Sequence, residues 1–171
     1  MKRFINIFII AALITIPLGV CGQNADEDPV IRIFNKYENR EGVESVTISP
    51  ALFGLMRNGN SGDEKTRELI SKITGLRVLS FTDRTDGGGR ATREALSAEL
   101  QAVVKSNFEE IMKVNRSGER IELYVRNGNI NSALLFITSA NNSLTALHLA
   151  GTIDKTLIDA VMNGEIGLSG K

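Results

Sequence analysis

The run Ile121-Glu122-Leu123-Tyr124-Val125-Arg126-Asn127-Gly128, followed by residues 130–138, Asn141-Asn142 and residues 144–151, decides the fold. Apolar and polar side chains alternate over 121–125, as they do along a half-buried strand. Asn127-Gly128 is a strong hairpin signal, because a type I′ turn needs positive φ at both central residues. The spacing then predicts a returning strand over 130–138, a second turn at Asn141-Asn142 and a third strand over 144–151. The last third is therefore expected to be an antiparallel three-stranded meander. A helix over 154–162, capped by Asp154 and stopped by Gly164, closes the domain, and residues 165–171 are expected to fray.

Upstream of the meander, helices and strands alternate. Asp28 can cap a helix that has Pro29 at its first position. Val30, Ile33, Phe34 and Tyr37 then fall on one face, at i, i+3, i+4 and i+7. Val43 to Ile48 reads as a strand rich in β-branched residues. Ser49-Pro50 opens a short helix over 51–56. Residues 63–74 predict another helix with Leu69, Ile70 and Ile73 inward and Gly75 as its stop. Leu76 to Thr82 reads as a second strand. The longest helix is expected over 91–114, with Leu96, Leu100, Val103, Val104, Phe108, Ile111 and Met112 as its core stripe. The pattern implies a single α+β domain over 29–164. Its sheet, mixed or antiparallel, would have about five strands, with helices packed mainly on one face.

The N-terminus carries an address. Lys2-Arg3, the apolar run from Phe4 to Ile16 and the small-residue exit Gly19-Val20-Cys21-Gly22 have the form of a secretory signal peptide over 1–22. The apolar run is shorter than the roughly 20 residues of a membrane span. Cleavage between Gly22 and Gln23 would free a protein of the periplasm or cell envelope. The competing reading is a lipobox, Leu18-Gly19-Val20-Cys21, with Cys21 lipidated and the product an outer-membrane lipoprotein. Residues 23–28, which include Asp26-Glu27-Asp28, read as a polar linker. Cys21 is the sole cysteine, so an intrachain disulfide is excluded.

Composition narrows the function classes. About 149 residues remain after the signal, enough for one domain with a full core. Removing Lys2 and Arg3 from the 20 basic residues leaves 18 against 20 acidic ones, a formal charge of −2 without a basic stripe. A nucleic-acid partner is not expected. Tryptophan is absent and aromatics make up 5%, which argues against stacking platforms for sugars.

No constellation of residues demands catalysis, and neither a cofactor nor a metal is expected. His148 is the only histidine. Alternation sets it opposite Leu147 and Leu149, so it is expected to face solvent, and no spacing supplies it with a partner. The loop Asp83-Arg84-Thr85-Asp86-Gly87-Gly88-Gly89-Arg90 precedes a helix, and Arg84, Gly87, Gly88, Gly89 and Arg90, with Arg93, form a candidate anion loop. It matches neither a phosphate-binding nor a dinucleotide motif, and triple glycine also serves as a plain connection. Asp83 and Asp86 lack the spacing of a calcium loop, and carboxylate-only catalysis by this pair has no further support.

Ile33-Phe34-Asn35-Lys36-Tyr37, Gly42 to Ser49, Leu76-Arg77-Val78-Leu79 and Leu149-Ala150-Gly151-Thr152-Ile153-Asp154, behind an export signal, together resemble a small envelope-protein family of Bacteroidota, domain of unknown function 4252. The resemblance implies an exported α+β protein, in some members a lipoprotein, without an assigned activity. It also implies a link to extracytoplasmic sigma-factor systems, hence to envelope stress. The glycine loop is not part of that pattern. The expectation is a non-catalytic module that binds an envelope protein and meets the membrane only if Cys21 is lipidated. The alternative is a carrier of a small ligand or anion.

Overall fold

A computed structural model of the chain describes residues 27–58, 64–83, 89–128 and 132–163. Cys21, Gly22 and Gln23 around the expected signal cleavage, Arg84, Asp86, Gly87 and Gly88 of the glycine loop, and the tail from Gly164 onward lie outside these residues. The elements are α1 (Pro29–Tyr37), β1 (Val43–Ile48), α2 (Pro50–Asn58), α3 (Glu64–Lys72), β2 (Ile73–Thr82), α4 (Arg90–Asn107), β3 (Glu109–Arg116), β4 (Glu119–Arg126), β5 (Ala133–Ser139), β6 (Ser143–Gly151) and α5 (Lys155–Met162). Six strands form one sheet in the order β1-β2-β6-β5-β4-β3, with every pairing antiparallel. The α+β class, the antiparallel sheet and the C-terminal meander agree with the sequence pattern. The meander has four strands rather than three.

The additional strand is β3. Residues 109–114, expected to continue the long helix, leave it at Phe108, whose backbone is extended at φ −130° and ψ 154°. The helical template matched here because Phe108, Ile111 and Met112 stand at i, i+3 and i+4, a spacing that a short strand can show by chance. A bulge between Glu110 and Met112 breaks the strand alternation and conceals it further. Ser117 and Gly118 then turn the chain with φ 31° and 89°, so Arg116 pairs with Glu119 across a two-residue turn. The tight hairpin lies here and not at Asn127-Gly128, where neither residue has positive φ and six residues separate β4 from β5. In that longer connection the Ser132 hydroxyl donates to the Gly128 carbonyl at 2.7 Å.

A smaller shift occurs at the start of β2. The helix expected through Thr74 ends at Lys72, and Ile73 opens the strand as a core residue. β-branched Ile73 and Thr74 favour the pleated backbone, and Gly75 falls at a register irregularity against β6 rather than at a helix stop.

Both faces of the sheet are covered, which corrects the expectation of helices mainly on one face. On one side Val30, Ile33, Phe34 and Tyr37 of α1 and Leu96, Leu100 and Val104 of α4 pack on Leu79, Phe81, Leu135, Ile137, Leu144 and Ala146. On the other, Phe53 of α2, Leu69 of α3 and Leu157, Ala160 and Val161 of α5 pack on Leu123, Leu134, Leu147 and Leu149. The central stretches Ala133–Ile137 of β5 and Ala146–Leu149 of β6 are therefore apolar on both faces except at His148. An antiparallel strand with one wet face would alternate strictly.

Candidate functional site

Asp28 is not part of a solvated linker. Its Oδ1 accepts from the Val30 amide at 2.8 Å and caps α1, the role Asp28-Pro29 predicts. Its Oδ2 accepts from Arg126 on β4 and lies 3.0 Å from His148 Nε2 on β6. One carboxylate thus ties the start of α1 to two central strands. Burial pushes the Asp28 carboxyl up, but the hydrogen bonds from His148 and Arg126, the His148 charge and the Val30 amide outweigh it. They hold the group well below the usual carboxylate range. Arg126 also stacks over the Phe108 ring, 5.0 Å from its centroid.

His148 is 2% exposed, contrary to the solvent-facing position expected of it. Alternation does place it opposite Leu147 and Leu149, but α1 covers that face as well. Across the sheet it pairs with Arg77 of β2. Arg77 donates to Asn35 Oδ1 at 2.7 Å and Glu38 Oε2 at 2.8 Å, clasping the polar side of α1. Its Nε is buried without a partner. These groups border a cleft of about 630 Å³ at the end of the sheet, whose lining includes Asp28, Ile31, Thr47, Arg77, His148 and Thr152. The volume falls within the range of small-ligand sites.

A second buried polar cluster sits under α4. Glu122, read as the wet side of an alternating strand, is 2% exposed. Gln101 donates to its Oε2 at 3.0 Å, and Lys113 Nζ lies 3.1 Å from Oε1, an ion pair outside hydrogen-bond geometry. Burial first, then the Glu122 charge and hydrogen bond, push the Tyr124 hydroxyl up to about 12. This cluster orients α4 over the sheet and opens onto no described cleft.

Of the candidate anion loop, Gly89 and Arg90 are described. Arg90 pairs with Glu94 at 2.8 Å and Arg93 with Asp83 at 3.2 Å, so carboxylates already balance both cations. Among the described residues, no group of three or more His, Cys, Asp and Glu could hold a metal ion.

The two outer strands differ in how they meet solvent. β3 carries Glu109, Glu110, Lys113 and Arg116 and the bulge, devices that discourage edge-to-edge pairing. β1 has neither a bulge nor proline, and its only charge is Glu44. Val46 at its centre is 55% exposed. Directly after it, α2 buries Phe53 but leaves Leu52, Leu55 and Met56 in water, at i, i+3 and i+4, with Leu55 69% exposed. Among the described residues, this apolar side of α2 and the β1 edge bring together four of the exposed large apolar side chains, Val46, Leu52, Leu55 and Met56.

A family model described as Domain of unknown function (DUF4252) matches residues 37–161. The chain belongs to this family. The DUF4252 match runs from the end of α1 into α5, so it contains the whole sheet, α2, Arg126 and His148, whereas Asp28 precedes it. The chain also has a distant likeness to the crystal structure of PA94, a protein of unknown function from Pseudomonas aeruginosa described as a candidate regulator. Identity there is 8% over 75% of this chain and 83% of that one, with a TM-score of 0.34. No curated protein matches the chain in sequence. Among the described residues, no helix is long and apolar enough to cross a membrane.

Sequence reasoning missed the Asp28–His148–Arg126 node because its members lie 98 and 120 residues apart. The cap at Asp28-Pro29 was its only local signal. The apolar side of α2 was legible as spacing, but nothing local says that it stays in water.

Proposed function

We propose that this domain is an exported, non-catalytic module of the cell envelope that binds another protein along β1 and α2. The observation that carries the reading is the helix α2, which keeps Leu52, Leu55 and Met56 in water beside an unprotected strand edge. Burying one such leucine contributes about 1.5–3 kcal/mol, so a partner that covers the group gains substantially. Strand addition at β1 would supply backbone hydrogen bonds and register. A role in envelope-stress signalling is the setting suggested by the family resemblance.

The test is in-cell photo-crosslinking from position 55, followed by capture and mass spectrometry. One saturable envelope protein, lost when Leu52→Glu is added to the same crosslinking protein, is expected. Equal capture by that variant would contradict the reading. Export by lipidation is separable: Cys21→Ser would release a lipoprotein from membranes and leave a product cleaved at Gly22-Gln23 unchanged. The cleft beside His148 favours a second reading, a small-ligand carrier. That reading expects a ligand-dependent rise in Tm that His148→Ala removes.

A further inference from the structure

The β1 edge is open and self-complementary, and we propose that its first occupant is a second copy of this chain, joined strand to strand across a two-fold axis at Val46. This rests on the reading of β1 as a contact surface: the second copy takes the strand edge, and the apolar side of α2 is left to the envelope partner.

The backbone sets the register. The Thr82 amide donates to the Gly42 carbonyl at 3.2 Å, and β1 pairs with β2 as Val43↔Phe81 through Ile48↔Leu76. Alternation in an antiparallel ladder then turns the amides and carbonyls of Glu44, Val46 and Ile48 toward β2. Those of Val43, Ser45 and Thr47 point outward. The Val43 amide is already engaged by the Arg40 carbonyl at 3.1 Å. Ser45 and Thr47 are left with a full set of donors and acceptors on the edge.

A two-fold axis through Val46 uses that set completely. Ser45 of each copy faces Thr47 of the other as a hydrogen-bonded pair, giving four backbone bonds and two hydroxyl neighbours. Val46 meets its own copy at the closely spaced, non-hydrogen-bonded position, so its exposed side chain is covered by an identical one. Glu44 falls opposite Ile48. An axis at Glu44 would oppose two carboxylates, and an axis at Ser45 would enlist the engaged Val43 amide. The result is one continuous sheet of twelve strands, twice the six in a single copy. Its outer edges would be the two charged, bulged β3 strands. α2 lies on the same side of the sheet as Val46, since Val46 pairs with Val78 and both Val78 and Phe53 belong to that core. An unrelated peptide on β1 would use the same outward groups of Ser45 and Thr47 but has no fixed register there.

The experiment is sedimentation equilibrium of the full-length protein as its host processes it, together with Val46→Lys and, in a Cys21→Ser background, Val46→Cys and Glu44→Cys under mild oxidation. The proposal expects a wild-type dimer, a dissociation constant raised at least about tenfold by Val46→Lys with unchanged circular dichroism, and fast crosslinking at 46 but not at 44. Equal crosslinking at both positions overturns the register. A monomer at every concentration that still yields the envelope partner from position 55 overturns the dimer and leaves the binding reading standing. A monomer without any captured partner overturns both.

Discussion

Two oxygens of Asp28 take three hydrogen-bond partners, and much of the placement of α1 hangs on them. Asp28→Ala removes the helix cap and the carboxylate that Arg126 and His148 share, with an expected cost of about 2–4 kcal/mol in urea denaturation. The pH dependence has a definite sign. The folded carboxyl titrates below its ordinary value of 3.8, so its contribution is complete above about pH 4 and is lost as pH falls through the lower folded pKa. Stability of the wild type should therefore fall more steeply below pH 4 than that of Asp28→Asn, which keeps the cap acceptor but not the charge. Gly151 shows a different constraint. It ends β6 at φ 150°, where an added Cβ would lie 2.1 Å from the Lys72 carbonyl oxygen, while the next amide, Thr152, donates to that same oxygen at 2.8 Å. Gly151→Ala is expected to lose about 3 kcal/mol or more by the same assay. The caps at Asp28 and Asp154 were legible because their chemistry is local. Burial of His148 and Glu122 was not, since alternation assigns a residue to a face without saying whether that face is covered.

At the scale of elements, type was legible where the pattern ran long and failed where it was short. α1 buries Val30, Ile33, Phe34 and Tyr37, the four positions its spacing predicts. β3 was hidden because a bulged edge strand buries little: Met112 is its sole partly buried side chain, while Ile111 and Val114 stay exposed. The turn that creates it was visible only as Ser117-Gly118, a weaker signal than the Asn127-Gly128 nearby. Ser117 has positive φ, a region that asparagine tolerates better than serine. Ser117→Asn is expected to stabilise the domain by about 0.5 kcal/mol, raising the urea midpoint without changing the slope. A lower midpoint would contradict the account of this hairpin as a turn held by positive φ at Ser117.

For the whole molecule, two helical layers enclose one antiparallel sheet, and the two exposed edges are treated differently. The β3 edge is charged and bulged, whereas the β1 edge is regular, nearly uncharged and flanked by an apolar helix side. That asymmetry, rather than any catalytic grouping, carries the functional account. Composition and pattern could deliver the α+β class but neither the second helical layer nor the strand order, and without strand order β1 and β3 cannot be recognised as edges. The most direct measurement is residue-resolved amide hydrogen exchange along β1 in the wild type and in Val46→Lys. The account predicts slow exchange at Glu44 and Val46 in both proteins, and slow exchange at Ser45 and Thr47 in the wild type alone. Rapid exchange at Ser45 and Thr47 at every wild-type concentration would show that nothing covers the edge, and would contradict the account.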